Sequence, residues 1–307
     1  RNGSASSMPR TRRTTVAESR GLLRRRHEAW ITLPSLLWLL VLFAVPAAIV
    51  FAIAFKPSDP FGGIAAGWTL HTLQSLGDPN YPAILWRTIW LAVVTTAVCL
   101  LLATPTAYFI ARTPVRQRNL LLLAVVVPFW TSFLVRIFAW KVVLHPDGLV
   151  KHVLAALHLV PADGSLLYHS GAVLLVLVYT ELPFAILPLY AAAEKFDFRL
   201  LEAARDLGAG PLRSFWSVFL PGIRRGLLTA TLVTLIPALG SYVVPDLVGG
   251  PTSEMLGNKI AQRTFVDRNL PHASALSALL ALAVLVPSAF AITLARGKRN
   301  AHAGREA

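Results

Sequence analysis

Residues 195–221 read KFDFRLLEAARDLGAGPLRSFWSVFLP, a short and partly charged stretch between long apolar segments of the chain. Asp197 is suited to cap a helix on which the apolar residues up to Leu207 gather on one side. Gly208 suits the left-handed position that ends such a helix, and Pro211 can begin a second short helix. The stretch therefore predicts a compact helix–turn–helix. A plain connection between two helices needs no such structure, whereas a loop that docks into a groove of another protein does.

The apolar segments on both sides of this stretch indicate the class of protein. The chain has 307 residues, of which 55% are hydrophobic and only 14% are charged, and its mean hydropathy is +0.60. A soluble domain of this length would need more charge to cover its surface, whereas lipid accepts apolar side chains on the outside. Six segments are long enough to cross a hydrocarbon core of ~30 Å, which takes roughly 20 apolar residues. They are residues 30–55, 83–111, 120–144, 171–193, 226–248 and 273–295. We predict that all six are helical, which makes the fold an all-α membrane protein with six transmembrane helices.

The distribution of basic residues predicts the orientation. With the N-terminus inside, most lysines and arginines fall in segments on the inner side, which is the positive-inside pattern. The outer segments hold only Lys56, Arg87, Lys151, Lys259, Arg263 and Arg268. Both termini of this multi-pass protein are therefore predicted to be cytoplasmic. The net charge of +14 is then explained by topology and by contact with anionic lipid headgroups, so it gives no reason to expect binding to nucleic acid.

Three of the segments outside the spans belong to the predicted inner side. Residues 1–29 are basic and are predicted to be disordered except for at most a juxtamembrane helix, and residues 296–307 are predicted to form a cytoplasmic tail. Residues 194–225 form the only sizeable inner loop between predicted spans, and this loop contains the stretch quoted above. Three charged residues of the loop, at a spacing of three, can pair along the polar side of its first helix. They are Arg199, Glu202 and Arg205.

Polar residues inside the spans are costly in lipid and are therefore candidates for function. Glu181 lies in the fourth span, and Asp246 lies near the outer end of the fifth. A cationic amine that crosses the bilayer would need such carboxylates, together with aromatic faces such as those of Trp130 and Tyr242 for cation–π contact. Two alternatives stay open. Glu181 can instead pair with Arg136 of the third span inside the bundle, and Asp246 can be an ordinary solvated or capping residue.

The loop between the fourth and fifth spans also carries a sequence signature. Glu202-Ala203-Ala204 is followed after three residues by Gly208, and after nine more by Val218-Phe219-Leu220-Pro221. This pattern resembles the EAA loop of permease subunits of ABC-type importers, although that family prefers isoleucine where this chain has Val218. In the family, the loop inserts into a cleft of a separate ATPase. The candidate coupling residues that the resemblance implies are Glu202, Ala203, Ala204, Asp206, Gly208, Leu220 and Pro221.

The resemblance extends over residues 30–295, and four segments of the chain indicate a particular subfamily. The segments that carry it are PFWTSFLVRIFAW at 128–140, LPFAILPLYAAAEK at 182–195, LIPALGSYVVPDLVGG at 235–250 and DRNLPHASALS at 267–277. They are similar to the spermidine/putrescine permease subfamily, which also includes relatives thought to carry opines and other small amine-bearing solutes. The resemblance implies the type I ABC importer permease bundle of six transmembrane helices in the inner membrane. It also implies a translocation path for a polyamine, or for a related amine or opine.

The resemblance further implies that the chemistry is divided between subunits. The chain contains no GxxxxGK[ST] phosphate loop, so ATP and Mg would bind to a partner ATPase, and this chain would be a non-catalytic subunit without a cofactor of its own. The implied partners are an ABC ATPase dimer, a second, paralogous permease subunit and a periplasmic or lipid-anchored solute-binding protein. The histidines in the outer segments lack the spacing of metal ligands, so we predict no metal site.

Two other classes of protein compete with this interpretation. An ion-coupled secondary transporter would use Glu181 as its coupling site, but it would leave the EAA loop unexplained. Such transporters usually contain inverted repeats, and none is evident here. A membrane-embedded enzyme is also disfavoured, because no constellation of His, Asp, Glu and Ser at membrane depth supports catalysis.

Overall fold

The first helix forms a unit of its own. The computed structural model describes residues 11–59, 61–156 and 164–285, and almost all of its named elements are helices. Helix α1 spans Thr11–Ile53, and its part Thr32–Ile53 is long and apolar enough to cross a bilayer. The backbone of residues 11–29 is helical, which differs from the disorder predicted beyond a juxtamembrane helix. That segment is rich in Arg, Ala, Leu and Glu, which favour helices and can continue the helix of the span toward its N-terminal side. Residues 1–10 lie outside the described residues.

The second unit begins at Ala54 and contains the remaining helices. Its first half comprises α2 (His71–Gln74), a 3₁₀ turn (Ser75–Gly77), α3 (Asn80–Arg112), α4 (Val115–Val126), a 3₁₀ turn (Val127–Trp130), α5 (Phe133–Val143), α6 (Leu149–Ala156) and α7 (Ser170–Glu194). Helices α3 and α7 are each long and apolar enough to cross a bilayer, and they match the second and fourth predicted spans. The side chain of His169 caps α7, since its Nδ1 accepts hydrogen bonds from the backbone N–H groups of Gly171 and Ala172.

The third predicted span, residues 120–144, is not one continuous helix. The segment Val115–Trp130 meets α5 at an angle of 89°. Pro128 lies in the 3₁₀ turn and cannot donate a backbone hydrogen bond, and Thr131 after it has an extended backbone. The predicted helical span is therefore divided into two helices, because a proline followed by an extended residue ends the helical ladder.

The second half of this unit follows the loop at residues 195–221. It comprises α8 (Arg199–Asp206), α9 (Pro211–Ser214), a π-helical turn (Phe215–Phe219), α10 (Leu220–Gly222), α11 (Arg224–Gly240), α12 (Val243–Val248), a 3₁₀ turn (Pro251–Ser253), α13 (Leu256–Ala261), a second π-helical turn (Gln262–Val266) and α14 (Leu270–Leu285).

The fifth and sixth predicted spans are recovered only in part. The fifth, residues 226–248, is divided between α11 and α12, because the backbone becomes extended at Ser241 and non-helical at Tyr242. The sixth, residues 273–295, is helical as far as Leu285, and its remainder lies outside the described residues, as does the predicted tail at 296–307. Among the described residues, three helices can cross a bilayer by length and composition, or up to five if each bent pair of helices counts as one span.

Helices α3, α7 and α11 form the centre of the second unit. Helix α7 packs against both α3 and α11, and these two also pack against each other. Gly226 of α11 lies so close to α7 that an added Cβ atom would overlap the side chain of Ala192. The small residue therefore allows the two helices to approach closely, as is common between helices in membranes. We call the end of this bundle that carries α8 to α10 the loop end. The opposite end, where α3, α7 and α14 begin, is the distal end.

Candidate functional site

The loop between α7 and α11 folds as a helix–turn–helix. Oδ1 of Asp197 accepts a hydrogen bond of 3.0 Å from the backbone N–H of Arg199, which begins α8. Gly208 has a φ of +87°. Its N–H donates to Arg205 O (2.8 Å), and the next N–H, that of Ala209, donates to Ala204 O (3.0 Å). This pair of bonds is the Schellman arrangement that closes the end of a helix. Pro211 then begins α9. The predicted conformation of the loop is confirmed.

The candidate coupling residues lie mostly on an exposed surface. Glu202, Ala203, Asp206, Gly208 and Pro221 are exposed, whereas Ala204 and Leu220 are half-buried. Two leucines on either side of the turn are also exposed, Leu207 by 90% and Leu212 by 71%. Apolar side chains of this exposure, rimmed by acidic residues, are typical of a surface that binds another protein. These two leucines are additional candidates that the motif did not single out.

One pairing that the sequence allows in the loop is not made in the structure. Arg199, Glu202 and Arg205 form no ion pair within 4.0 Å among the described residues. All three side chains are exposed, and a solvated pair on a helix contributes only about 0.3–0.5 kcal/mol. Their charges are therefore available to a partner.

A cluster of aromatic rings holds this loop against the bundle. Tyr108 near the end of α3 lies 5.9 Å from Phe198, 5.4 Å from Phe215 and 4.9 Å from Phe219, measured between ring centroids. Each pair meets edge to face, which is a favourable geometry worth about 0.5–1.5 kcal/mol beyond burial. Phe219 is fully buried. The loop is consequently fixed to α3 as well as to α7 and α11, so that a force on the loop is transmitted to the bundle.

Two of the four predicted pathway residues lie together at the distal end. Tyr242 and Asp246 line one open cleft of about 520 Å³. Tyr168, Glu254 and Phe265 line the same cleft. These three residues were not predicted, because they lie in short segments between the long helices, Phe265 within a π-helical turn, where no periodic pattern marks them. The cleft thus combines three aromatic rings with the carboxylate of Asp246 and with that of Glu254, which is paired with Lys259, and the rings and Asp246 form a set suited to an amine cation. We call it the acidic cleft.

Close backbone contacts fix the walls of the acidic cleft. The N–H of Tyr168 donates to Val248 O at 2.9 Å, and Tyr168 adopts a positive φ of 65°. An added Cβ atom on Gly250 would overlap the backbone of Tyr168. The break between α11 and α12 leaves Tyr242 half-exposed at the rim. The interruption of the fifth predicted span is therefore what builds this wall.

The other two predicted pathway residues lie elsewhere. Glu181 is buried in the middle of α7, with 8% of its surface exposed, and Trp130 is 77% exposed at the break before α5. Neither lines the acidic cleft. The structure does not bring all four residues into one site.

The alternative pairing of Glu181 with Arg136 does not occur. No ion pair within 4.0 Å joins them, and Oε2 of Glu181 is buried without a hydrogen-bond partner among the described residues. The guanidinium of Arg136 instead stacks over the ring of Phe129, 4.2 Å from its centroid. A cation–π contact of this kind compensates part of the cost of an arginine in lipid. Glu181 therefore has no permanent cationic partner in the part of the chain that the structure describes.

The helical bundle, its apolar spans and its structured loop define a subunit of a membrane transport system. A family model described as "Binding-protein-dependent transport system inner membrane component" matches residues 18–297. The chain belongs to this family and is an inner-membrane protein.

Permease proteins of bacterial transport systems are similar to this chain over most of its length, which supports its membership of the family. The spermidine/putrescine transport system permease protein PotB of Haemophilus influenzae is 38% identical over 253 residues, which cover 81% of this chain and 88% of the relative. The protein of the same name from Escherichia coli is 34% identical over 245 residues, covering 80% and 89%. The inner membrane ABC transporter permease protein YdcU of Escherichia coli is 34% identical over 72% of this chain and 74% of its own length.

Solved structures share the fold. A chain of a bacterial ABC transporter that imports the acidic polysaccharide alginate superposes with a TM-score of 0.69 at 18% identity, over 90% of this chain and 98% of its own. A chain of the alginate transporter in complex with alginate pentasaccharide-bound periplasmic protein gives a TM-score of 0.68 at 17% identity, over 90% and 96%. The predicted permease bundle is confirmed.

Proposed function

We propose that this chain is the non-catalytic translocation subunit of an ATP-driven importer for a small cationic amine, namely a polyamine such as spermidine or putrescine, or a related amine or opine. The observation that carries the proposal is the 38% identity, over 81% of the chain, to a permease named for spermidine and putrescine. The alginate transporters share only the fold, and they do not bear on the solute.

The acidic cleft supports a cationic solute. Asp246 is exposed, and the rings of Tyr168 and Tyr242 lie on the same cleft. An acidic polysaccharide would be repelled by this set, whereas an amine gains both carboxylate and cation–π contacts. Glu181, further into the bundle and without a cationic partner, is the candidate for a second contact along the path.

The exposed loop supports a division of labour between subunits. We infer that the surface formed by Glu202, Gly208 and the two exposed leucines docks into a groove of an ABC ATPase dimer, which binds ATP and Mg. A second, paralogous permease subunit would complete the path, and a periplasmic or lipid-anchored binding protein would deliver the solute. From the distribution of basic residues in the sequence we infer that the loop end lies in the cytoplasm together with both termini, and hence that the distal end lies outside.

Uptake measurements test this function. When the chain is co-expressed with its partner ATPase, second permease and solute-binding protein and the assembly is reconstituted in vesicles, spermidine uptake is expected to require ATP. An ATPase variant that cannot hydrolyse ATP is the control, and an uncoupler is expected to leave uptake unchanged. Uptake that survives without ATP and collapses with the uncoupler would instead identify an ion-coupled secondary transporter.

The acidic cleft gives a more specific prediction. Asp246→Asn is expected to lower the rate of spermidine uptake, at saturating binding protein, by about threefold to tenfold, because a charge-assisted contact to a partly exposed carboxylate contributes about 1 kcal/mol or somewhat more. Asp147→Asn is the matched control, since Asp147 is 90% exposed and lies outside the acidic cleft. Equal rates in the two variants would remove Asp246 from the path.

A further inference from the structure

A second cleft lies beside the acidic cleft at the distal end. It has a volume of about 350 Å³ and is lined by three basic side chains, Arg87 of α3, Lys259 of α13 and Arg263 of the following π-helical turn. Glu254 and Pro251 line both clefts, so the two share a wall. We call this second one the basic cleft.

The carboxylates of the basic cleft already have partners. Oδ1 of Asp78 accepts hydrogen bonds from the backbone N–H and from Nδ2 of Asn80, at 3.0 and 2.9 Å. Oε2 of Glu254 lies 3.0 Å from Nζ of Lys259. The pair with Glu254 neutralises Lys259, whereas the neutral donors of Asn80 leave the charge of Asp78 in place, so the positive character of the cleft rests chiefly on Arg87.

The guanidinium groups, in contrast, keep unused donors. Arg87 makes one long contact, 3.4 Å from Nη1 to the backbone oxygen of Glu254, and no carboxylate lies within 4.0 Å of it in the described part of the chain. Arg263 donates to Asp267 (2.9 Å) and to the hydroxyl of Tyr81 (3.0 Å), but its Nε is buried without an acceptor among the described residues.

These free donors define the chemistry of a group that can bind in the cleft. The pKa of Arg263 is raised above its ordinary value, mainly by the hydrogen bond to Tyr81 and also by the nearby Asp267. This group therefore stays charged. A guanidinium with free N–H groups matches a carboxylate or a phosphate through paired hydrogen bonds. A cationic amine would be repelled, so the basic cleft is not a second site for the solute.

We propose that the basic cleft receives an acidic side chain of the solute-binding protein. The inference rests on the proposed function, since it needs the distal end to face outside, where that protein arrives. The family is binding-protein-dependent by its description, so a protein must dock on this chain or on its companion permease. Docking at the basic cleft would place the bound solute next to the shared Glu254 and hence at the mouth of the acidic cleft. Charged anchors of this kind direct association and fix the orientation of the partner.

A charge reversal tests the proposal. The assembly is reconstituted in nanodiscs of phosphatidylcholine, and the affinity of its solute-binding protein for it is measured at low and high salt. Arg87→Glu is expected to weaken docking by about tenfold or more at low salt, and to reduce its salt dependence. Lys151→Glu makes the same change of charge outside both clefts and is expected to have no effect. Arg87→Lys keeps the charge but loses the planar fork, so we expect an intermediate affinity.

Three other outcomes would contradict either this proposal or the proposed function. Unchanged docking in Arg87→Glu, in an assembly that still transports spermidine, would overturn the basic cleft and leave the proposed function intact. If the binding protein neither docks on the assembly of the unmodified chain nor stimulates its uptake of spermidine, the proposed function itself is contradicted. If Arg87→Glu changes the activity of the assembly only in nanodiscs containing phosphatidylglycerol, and does so in the absence of the binding protein, the cleft binds a lipid headgroup and the proposal is wrong. A melting temperature equal to that of the unmodified assembly excludes misfolding as the cause.

Discussion

A Gly208→Val variant is expected to reach the membrane in normal amounts and to lose nearly all ATP-driven uptake. Gly208 adopts a φ of +87°, a region in which a β-branched residue is strongly disfavoured. The strain of about 1–2 kcal/mol or more would be relieved by opening the turn, which moves Leu207 and Leu212 relative to α8. The docking surface would lose its shape, whereas the bundle itself would be unaffected. Uptake, membrane abundance and co-purification of the ATPase are the measurements.

The same loop provides the control. Gly210 has an ordinary φ of −62°, and an added Cβ atom would meet nothing within 4 Å at either glycine. Gly210→Val therefore tests the added volume without the backbone strain, and it is expected to retain most of the uptake. Gly208→Asn is expected to be intermediate, because asparagine tolerates the left-handed conformation better than other residues. Full uptake and a retained ATPase in Gly208→Val would contradict the role of this turn in coupling.

Glu181→Gln is expected to lower amine uptake by roughly tenfold, which corresponds to about 1.4 kcal/mol, with no loss of protein from the membrane. Glu181 lies roughly 16 Å along α7 from Ser170 at ~1.5 Å per residue, so it lies near the middle of the span. It has no ion-pair partner in the described chain, so removing its charge breaks no existing contact. The loss would arise because a passing ammonium group loses a carboxylate in a medium of low dielectric constant.

Arg136 of the third predicted span allows this prediction to be separated from a purely structural role of Glu181. If Glu181 and Arg136 depended on each other, Glu181→Gln would strand the arginine and Arg136→Met would restore abundance in the double variant. Since Arg136 stacks on Phe129 instead, we expect the effects of the two substitutions on abundance to be additive. Uptake that is unchanged in Glu181→Gln would remove this residue from the path, and restored abundance in the double variant would make it a structural residue.

Local sequence was sufficient for the loop at residues 195–221. Its cap at Asp197, its left-handed glycine and its second helix at Pro211 depend on hydrogen bonds and dihedral angles within a few residues, so they can be predicted without the rest of the chain. The apolar segments were likewise recognisable, since a helix in lipid must satisfy its own backbone and needs a run of apolar residues. Where a span is interrupted by Pro128 or at Tyr242, hydropathy could not show the break, because side chains on both sides of it are equally apolar.

What the sequence by itself determined is therefore the class of the protein, the positions of its apolar segments and the conformation of the loop at residues 195–221, all of which follow from composition or from interactions between near neighbours. Only the tertiary structure decided which distant residues share a site. It joined Tyr168, Tyr242 and Asp246 in one cleft and left Glu181 without Arg136. It also placed Arg87 beside Arg263, whose positions differ by more than half the chain. Such contacts depend on how α3, α7 and α11 pack and on where close approaches such as those at Gly226 and Gly250 are allowed, and no local pattern encodes that packing.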